Sequence, residues 1–141
     1  MTTKLSEIFD LFLGKITDYR LAGMADVDIE NDLMRYFKSA RAKFYRCKNN
    51  LEIDGVDNTS LKSELTGFEI EIITHLMLVQ HIEPQLFSSE NLKQSLSDKD
   101  FKIYSQANQL REIRLLLNTI KRDVNKMITE YTYFDMGDEE K

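Results

Sequence analysis

The chain has 141 residues, 42% of them hydrophobic and 30% charged, with a formal net charge of −5. That length suits one domain, with a core that needs no metal or disulfide to close. A single cysteine excludes an intrachain disulfide and suits a reducing compartment, and the acidic total argues against general nucleic-acid affinity, which rests on a basic surface.

Residues 1–7 are polar and soon carry an acid, so no signal peptide is expected, and no apolar run is long enough to predict a membrane span. One Pro and five Gly leave room for long helices. The first helix is read at residues 4–13, where Leu5, Ile8, Phe9, Phe12 and Leu13 fall at helical spacing. Thr3 or Ser6 can cap its start, and Gly14 is the expected exit. Residues 15–20 then read as a short extended piece or a loop.

A second helix starts at Asp26 or Asp28. Its apolar stripe is Ile29, Leu33, Phe37, Ala40, Phe44 and Cys47. Arg35, Lys38, Arg41, Lys43, Arg46 and Lys48 cover much of the rest, giving a half-buried helix with a basic outer face. Residues 49–60 hold Asn49-Asn50, Asp54-Gly55 and Asp57-Asn58, residue types that tolerate turns. Leu51, Ile53 and Val56 alternate among them, so a loop with a short extended stretch, or a small hairpin, is expected.

The third helix is read at residues 65–82. Leu65, Phe68, Ile72, Leu76 and Val79 form one stripe and Ile70, Ile73 and Met77 a second, which marks a central helix buried on most sides. Pro84 lacks an amide hydrogen and is the expected stop. Residues 85–97 read as a connector with a helical turn near 89–94. Ser97, Asp98 and Asp100 then resemble a cap with acids in the first turn.

From there to about Tyr133 nothing breaks the helix. Tyr104, Ala107, Leu110, Ile113, Leu117, Ile120, Val124, Met127 and Tyr131 recur every three or four residues, close to a coiled-coil seam. A helix of ~35 residues measures roughly 50 Å. A spherical domain of this size is about 37 Å across, so one end should project. Residues 135–141 are acidic and polar and read as a tail that stays disordered unless a partner orders it. The reading is therefore all-α: a single helical domain over residues 1–134, a small bundle with a long C-terminal helix and extended loop segments, followed by the tail.

No constellation of reactive groups emerges, and the sequence points to no catalytic, cofactor or metal site. Cys47 sits at an apolar position, where a small buried hydrophobe is the ordinary role. His75 and His81 are six positions apart, about 240° around a helix, and face apart; neither joins Glu69, Glu71 or Glu83 in a metal-binding pattern. The basic run at 35–48 is interleaved with Tyr36, Phe37, Phe44 and Tyr45, but Phe37 and Phe44 belong to the core stripe. A solvated face, or one meeting an acidic partner, outweighs a nucleic-acid surface. Tyr131, Tyr133 and Phe134 lie where the long helix passes the expected domain edge, and either fold back or form an interface core.

Two segments together carry a resemblance. One is Ser89-Glu90-Asn91-Leu92-Lys93-Gln94 running into Leu96-Ser97-Asp98-Lys99-Asp100-Phe101-Lys102-Ile103-Tyr104-Ser105-Gln106-Ala107-Asn108. The other is Phe44-Tyr45-Arg46-Cys47-Lys48 ahead of a loop and the third helix. From about Tyr36 onward the chain resembles small helical proteins of tailed bacteriophages of Gram-positive hosts, encoded among virion structural genes and placed at the head–tail junction as connector, adaptor or head-completion (neck) proteins. The resemblance implies a non-enzymatic virion protein, made in the host cytoplasm. It implies a ring homo-oligomer, commonly a dodecamer, below the portal protein and against the next neck or tail protein. DNA would pass through the lumen only as cargo, and an acidic wall would not hold it. Tyr131, Tyr133, Phe134 and Met136 are then the candidates for partner docking. The competing reading is a helical interaction protein outside the virion, an assembly chaperone or regulator dimerising through the 104–131 seam. A tail or baseplate component is a variant of the first.

Overall fold

Leu5, Ile8, Phe12 and Ile16 are all buried and step around a helix by three, four and four, which sets the first element. The computed structural model describes residues 2–18, 29–56, 59–95 and 101–139, without the side chains of 17–18, 29–31, 85, 88–95, 101–110 and 134–139. Among the described residues the fold is all-α, with four helices packed together: α1 (Leu5–Asp18), α2 (Ile29–Lys43), α3 (Gly67–Ser95) and α4 (Phe101–Glu139).

Helix α1 does not exit at Gly14, as the sequence reading has it, but runs on to Asp18. Burial of Ile16, which is 3% exposed, outweighs the roughly 0.5–1 kcal/mol that Gly costs inside a helix. Residues 15–18 are thus helical rather than extended, and 19–28, including the proposed caps Asp26 and Asp28, lie outside the described residues.

On α2, Leu33, Tyr36, Phe37 and Ala40 face the core, and Phe44 continues the stripe just past the last helical residue. The Phe44 N–H still reaches the Ala40 carbonyl at 3.0 Å, after which the Cys47 N–H turns back onto the Phe44 carbonyl at 3.3 Å. Cys47 therefore leaves the helix that its spacing assigned it to.

The loop after α2 holds its turns as the composition suggests: Asn50 accepts the Glu52 N–H at 2.9 Å and Asp54 the Val56 N–H at 3.0 Å. Its extended stretch makes isolated antiparallel bridges, Ile53 with Leu61 and Lys4 with Ser60. Residues 60–62 are thus sandwiched between the N-terminus and residues 52–54. The Thr3 hydroxyl accepts the Leu65 N–H at 2.7 Å, and the Thr3 N–H donates to the Ser63 carbonyl at 3.1 Å.

Helix α3 is the central element expected from its two stripes, and α1, α2 and α4 each pack against it. Ile72, Ile73, Leu76, Met77, Leu78, Val79, Ile82 and Leu86 are buried on several sides of it. It does not stop before Pro84 but continues to Ser95, absorbing the predicted connector up to that residue. Proline inside a helix costs about 3 kcal/mol. Ile82 and Leu86, 0% and 1% exposed, flank it, and each such burial is worth about 1.5–3 kcal/mol. An ion pair between Glu83 and Lys121 of α4 adds a tie at the same level.

Helix α4 is unbroken over 39 residues, about 58 Å. Among its described side chains Leu117, Ile120 and Val124 are buried, with Ile113, Leu116, Met127, Ile128 and Tyr131 packed at the edge of the core. The acidic residues 135–139 lie within the helix. The caps proposed at Ser97, Asp98 and Asp100 lie outside the described residues.

Candidate functional site

The start of α3 meets Tyr131, about two turns before the end of α4, at one buried carboxylate. Thr66 and Glu69 close the start of α3 reciprocally: the Thr66 N–H donates to Glu69 Oε1 at 2.8 Å, and the Glu69 N–H donates to Thr66 Oγ1 at 3.2 Å. This is a capping box. Glu69 is 1% exposed, so its remaining acceptor sites need partners. Asn49 Nδ2 donates to Oε1 at 2.7 Å, while Cys47 Sγ and the Tyr131 hydroxyl donate to Oε2 at 3.1 and 2.8 Å. Tyr131 Oη in turn accepts the Lys48 N–H at 2.8 Å.

The electrostatics follow from this donor set. Burial pushes the Glu69 pKa up, but the bonds from Thr66, Cys47, Asn49 and Tyr131 outweigh it, and the carboxyl is held below its ordinary value. Burial, then the Glu69 bond and charge, push the Cys47 thiol up to about 12. At neutral pH it is a thiol donor rather than a thiolate nucleophile. The Tyr131 hydroxyl is also raised, by burial first. The cluster ties the 47–49 turn, the start of α3 and the Tyr131 level of α4 into one corner.

Of the four proposed docking residues, Tyr131 turns into the body. Its ring lies 5.2 Å from that of Phe44, edge-on, and 6.3 Å from that of Phe68, stacked. Tyr133, two positions on, is 76% exposed. The side chains of Phe134 and Met136 lie outside the described ones. Cys47 is half-buried and packs against the core, and it also donates a hydrogen bond to Glu69, a tie its spacing does not show. The sequence names Glu69 only as a rejected metal partner of the histidines and Asn49 only as a turn residue, whereas the hydrogen bonds make both part of this cluster.

The histidines are internal, each with its own partner. His81 Nδ1 shares a hydrogen bond of 3.1 Å with the Tyr36 hydroxyl, and Phe12 meets the ring edge-on at 6.1 Å. Burial lowers the His81 pKa and favours the neutral ring. His75 Nδ1 bonds the Glu71 carbonyl at 2.8 Å. Among the described residues no group of three His, Cys, Asp or Glu could hold a metal, and no helix is long and apolar enough to cross a membrane.

The basic face of α2 is divided. Arg35 pairs with Asp32 at 3.2 Å and lies over the Tyr36 ring. Arg41 lies over Phe37 and reaches the Leu51 carbonyl at 3.4 Å. Tyr36, Phe37 and Phe44 are buried, so Tyr45, 78% exposed, is the one aromatic of that run open to a partner. An open groove beside the helix is lined by Met34, Lys38, Arg41, Glu52 and Ile53. In comparisons with known proteins, no family model, curated protein or solved structure matches the chain.

Proposed function

We propose that this chain is a virion structural protein, a head–tail connector or adaptor whose copies form a ring below the portal and join capsid to tail. The observation that supports this best is α4. It is a continuous rod of 39 residues, about 58 Å, against the roughly 37 Å expected across a sphere of this chain length. Its middle is held to α3 by Leu117, Ile120 and Val124, and its lower part is locked by Tyr131 to Glu69. The turn after that lock presents Tyr133 to solvent. A stiff lever anchored at one corner suits a subunit that must bridge neighbours. The resemblance of residues from about Tyr36 onward to phage neck proteins supplies the setting.

Quantitative mass spectrometry on purified virus particles, referenced to the portal protein, tests the proposal. A ratio near one-to-one supports a neck ring. Absence from the particle ends the structural reading and leaves a chaperone or regulator outside the virion.

A further inference from the structure

Charge is segregated along this chain. Residues 33–51 contain six cations and no acid, whereas residues 134–141 contain Asp135, Asp138, Glu139 and Glu140 against one Lys. The cationic stretch lines part of the groove beside α2, where Lys38 and Arg41 stand with the apolar Met34 and Ile53. Glu52 sits in the same groove, but its carboxylate is engaged by Lys62 at 3.0 Å, so the cations there are in excess. Arg41, which lines the groove, lies over the Phe37 ring and donates to the Leu51 carbonyl.

We infer that this groove receives the acidic end of α4 from a second copy of the chain, in a head-to-tail contact. The contact deepens the ring reading above and rests on it. Three observations converge on this occupant. The groove combines apolar and cationic lining residues, and the sequence from Tyr133 to Glu140 interleaves Tyr133, Phe134 and Met136 with four acids. The last turn of α4 carries no basic residue, so its acids oppose the helix dipole and gain from an external cationic surface. Tyr131 pins α4 to its own body, and the turn that follows presents Tyr133 outward at 76% exposure. A contact between two different patches is heterologous, and it closes into a ring or extends into a filament.

The test uses full-length chains in sedimentation equilibrium over a salt series. Wild type should self-associate at low salt and dissociate as salt rises. Lys38→Glu alone, and Asp135→Lys with Asp138→Lys, should each raise the dissociation constant by about tenfold or more, because like charges then face each other across the contact. In an equimolar mixture the native end meets the native groove and the reversed end meets the reversed groove, so both contacts join opposite charges. Association should recover toward the wild-type level, which also shows that both variants are folded. Three results would overturn the inference: a wild-type chain that stays monomeric at high concentration and low salt, association indifferent to Lys38→Glu, or a mixture that forms no dimer. Binding of duplex DNA by a monomeric wild type would instead assign the basic face to nucleic acid. Particle composition decides the adaptor reading separately, so a monomeric chain present in particles removes this contact and leaves that reading standing.

Discussion

Replacing Tyr131 by Phe removes one oxygen and leaves the ring against Phe44 and Phe68. The lost hydroxyl donates to Glu69 at 2.8 Å and accepts from the Lys48 N–H at 2.8 Å. A hydrogen bond to a charged group is worth about 1.5–3 kcal/mol. Two facts select the lower end of that range. Thr66, Asn49 and Cys47 still hold the carboxylate, and the half-buried Tyr131 site lets water reach the Lys48 amide. The expected loss is therefore ~1.5–2 kcal/mol, or roughly 3–8 °C in Tm for a chain of this size. Urea denaturation of wild type, Tyr131→Phe, Glu69→Gln and the double variant measures it as a cycle. The coupling between the two sites should reach at least about 0.5 kcal/mol. A Tyr131→Phe chain as stable as wild type, or one equally destabilised in the Glu69→Gln background, refutes the lock.

Acid should weaken the fold in two steps. His81 is held below its ordinary 6.5, so stability falls as pH drops below that value and the unfolded chain takes up a proton that the folded one resists. Glu69 is held below 4.5, so its contribution is present above that pH and is lost as pH falls through the lower folded value; Glu69→Gln should abolish this second step in urea titrations. With its thiol raised to about 12, Cys47 should react with iodoacetamide at pH 8 far more slowly in the folded chain than in urea, and equal rates would contradict its bond to Glu69. Gly14 has open space where a Cβ would sit, so Gly14→Ala should stabilise by about 0.5–1 kcal/mol, read as a rise in Tm.

The helices were legible because their stripes are regular: Leu5, Ile8 and Phe12, or Leu117, Ile120 and Val124, point to one side at helical spacing. Local breakers misled the reading at Gly14 and Pro84. Each carries a penalty of at most a few kcal/mol, and burial of Ile16, Ile82 and Leu86 exceeds it. Cys47 misled it the other way, since its position continues the α2 stripe although the helix ends at Lys43. The Thr66–Glu69 capping box can be read from its spacing alone, and with it the true start of α3. The bond from Tyr131 to Glu69 cannot, because it joins residues 62 apart and depends on how α4 lies along α3.

The first few residues are stitched into the segment that precedes α3. Thr3 is buried, and its hydroxyl partner, the Leu65 amide, lies 62 positions later. A chain emerging from the ribosome makes α1 long before it makes α3, the helix against which α1 packs. Residues 3–5, made before α3, are therefore fixed late, when residues 59–65 close this long loop. Until then the apolar side of α1, with Ile8 and Phe12, waits for its cover.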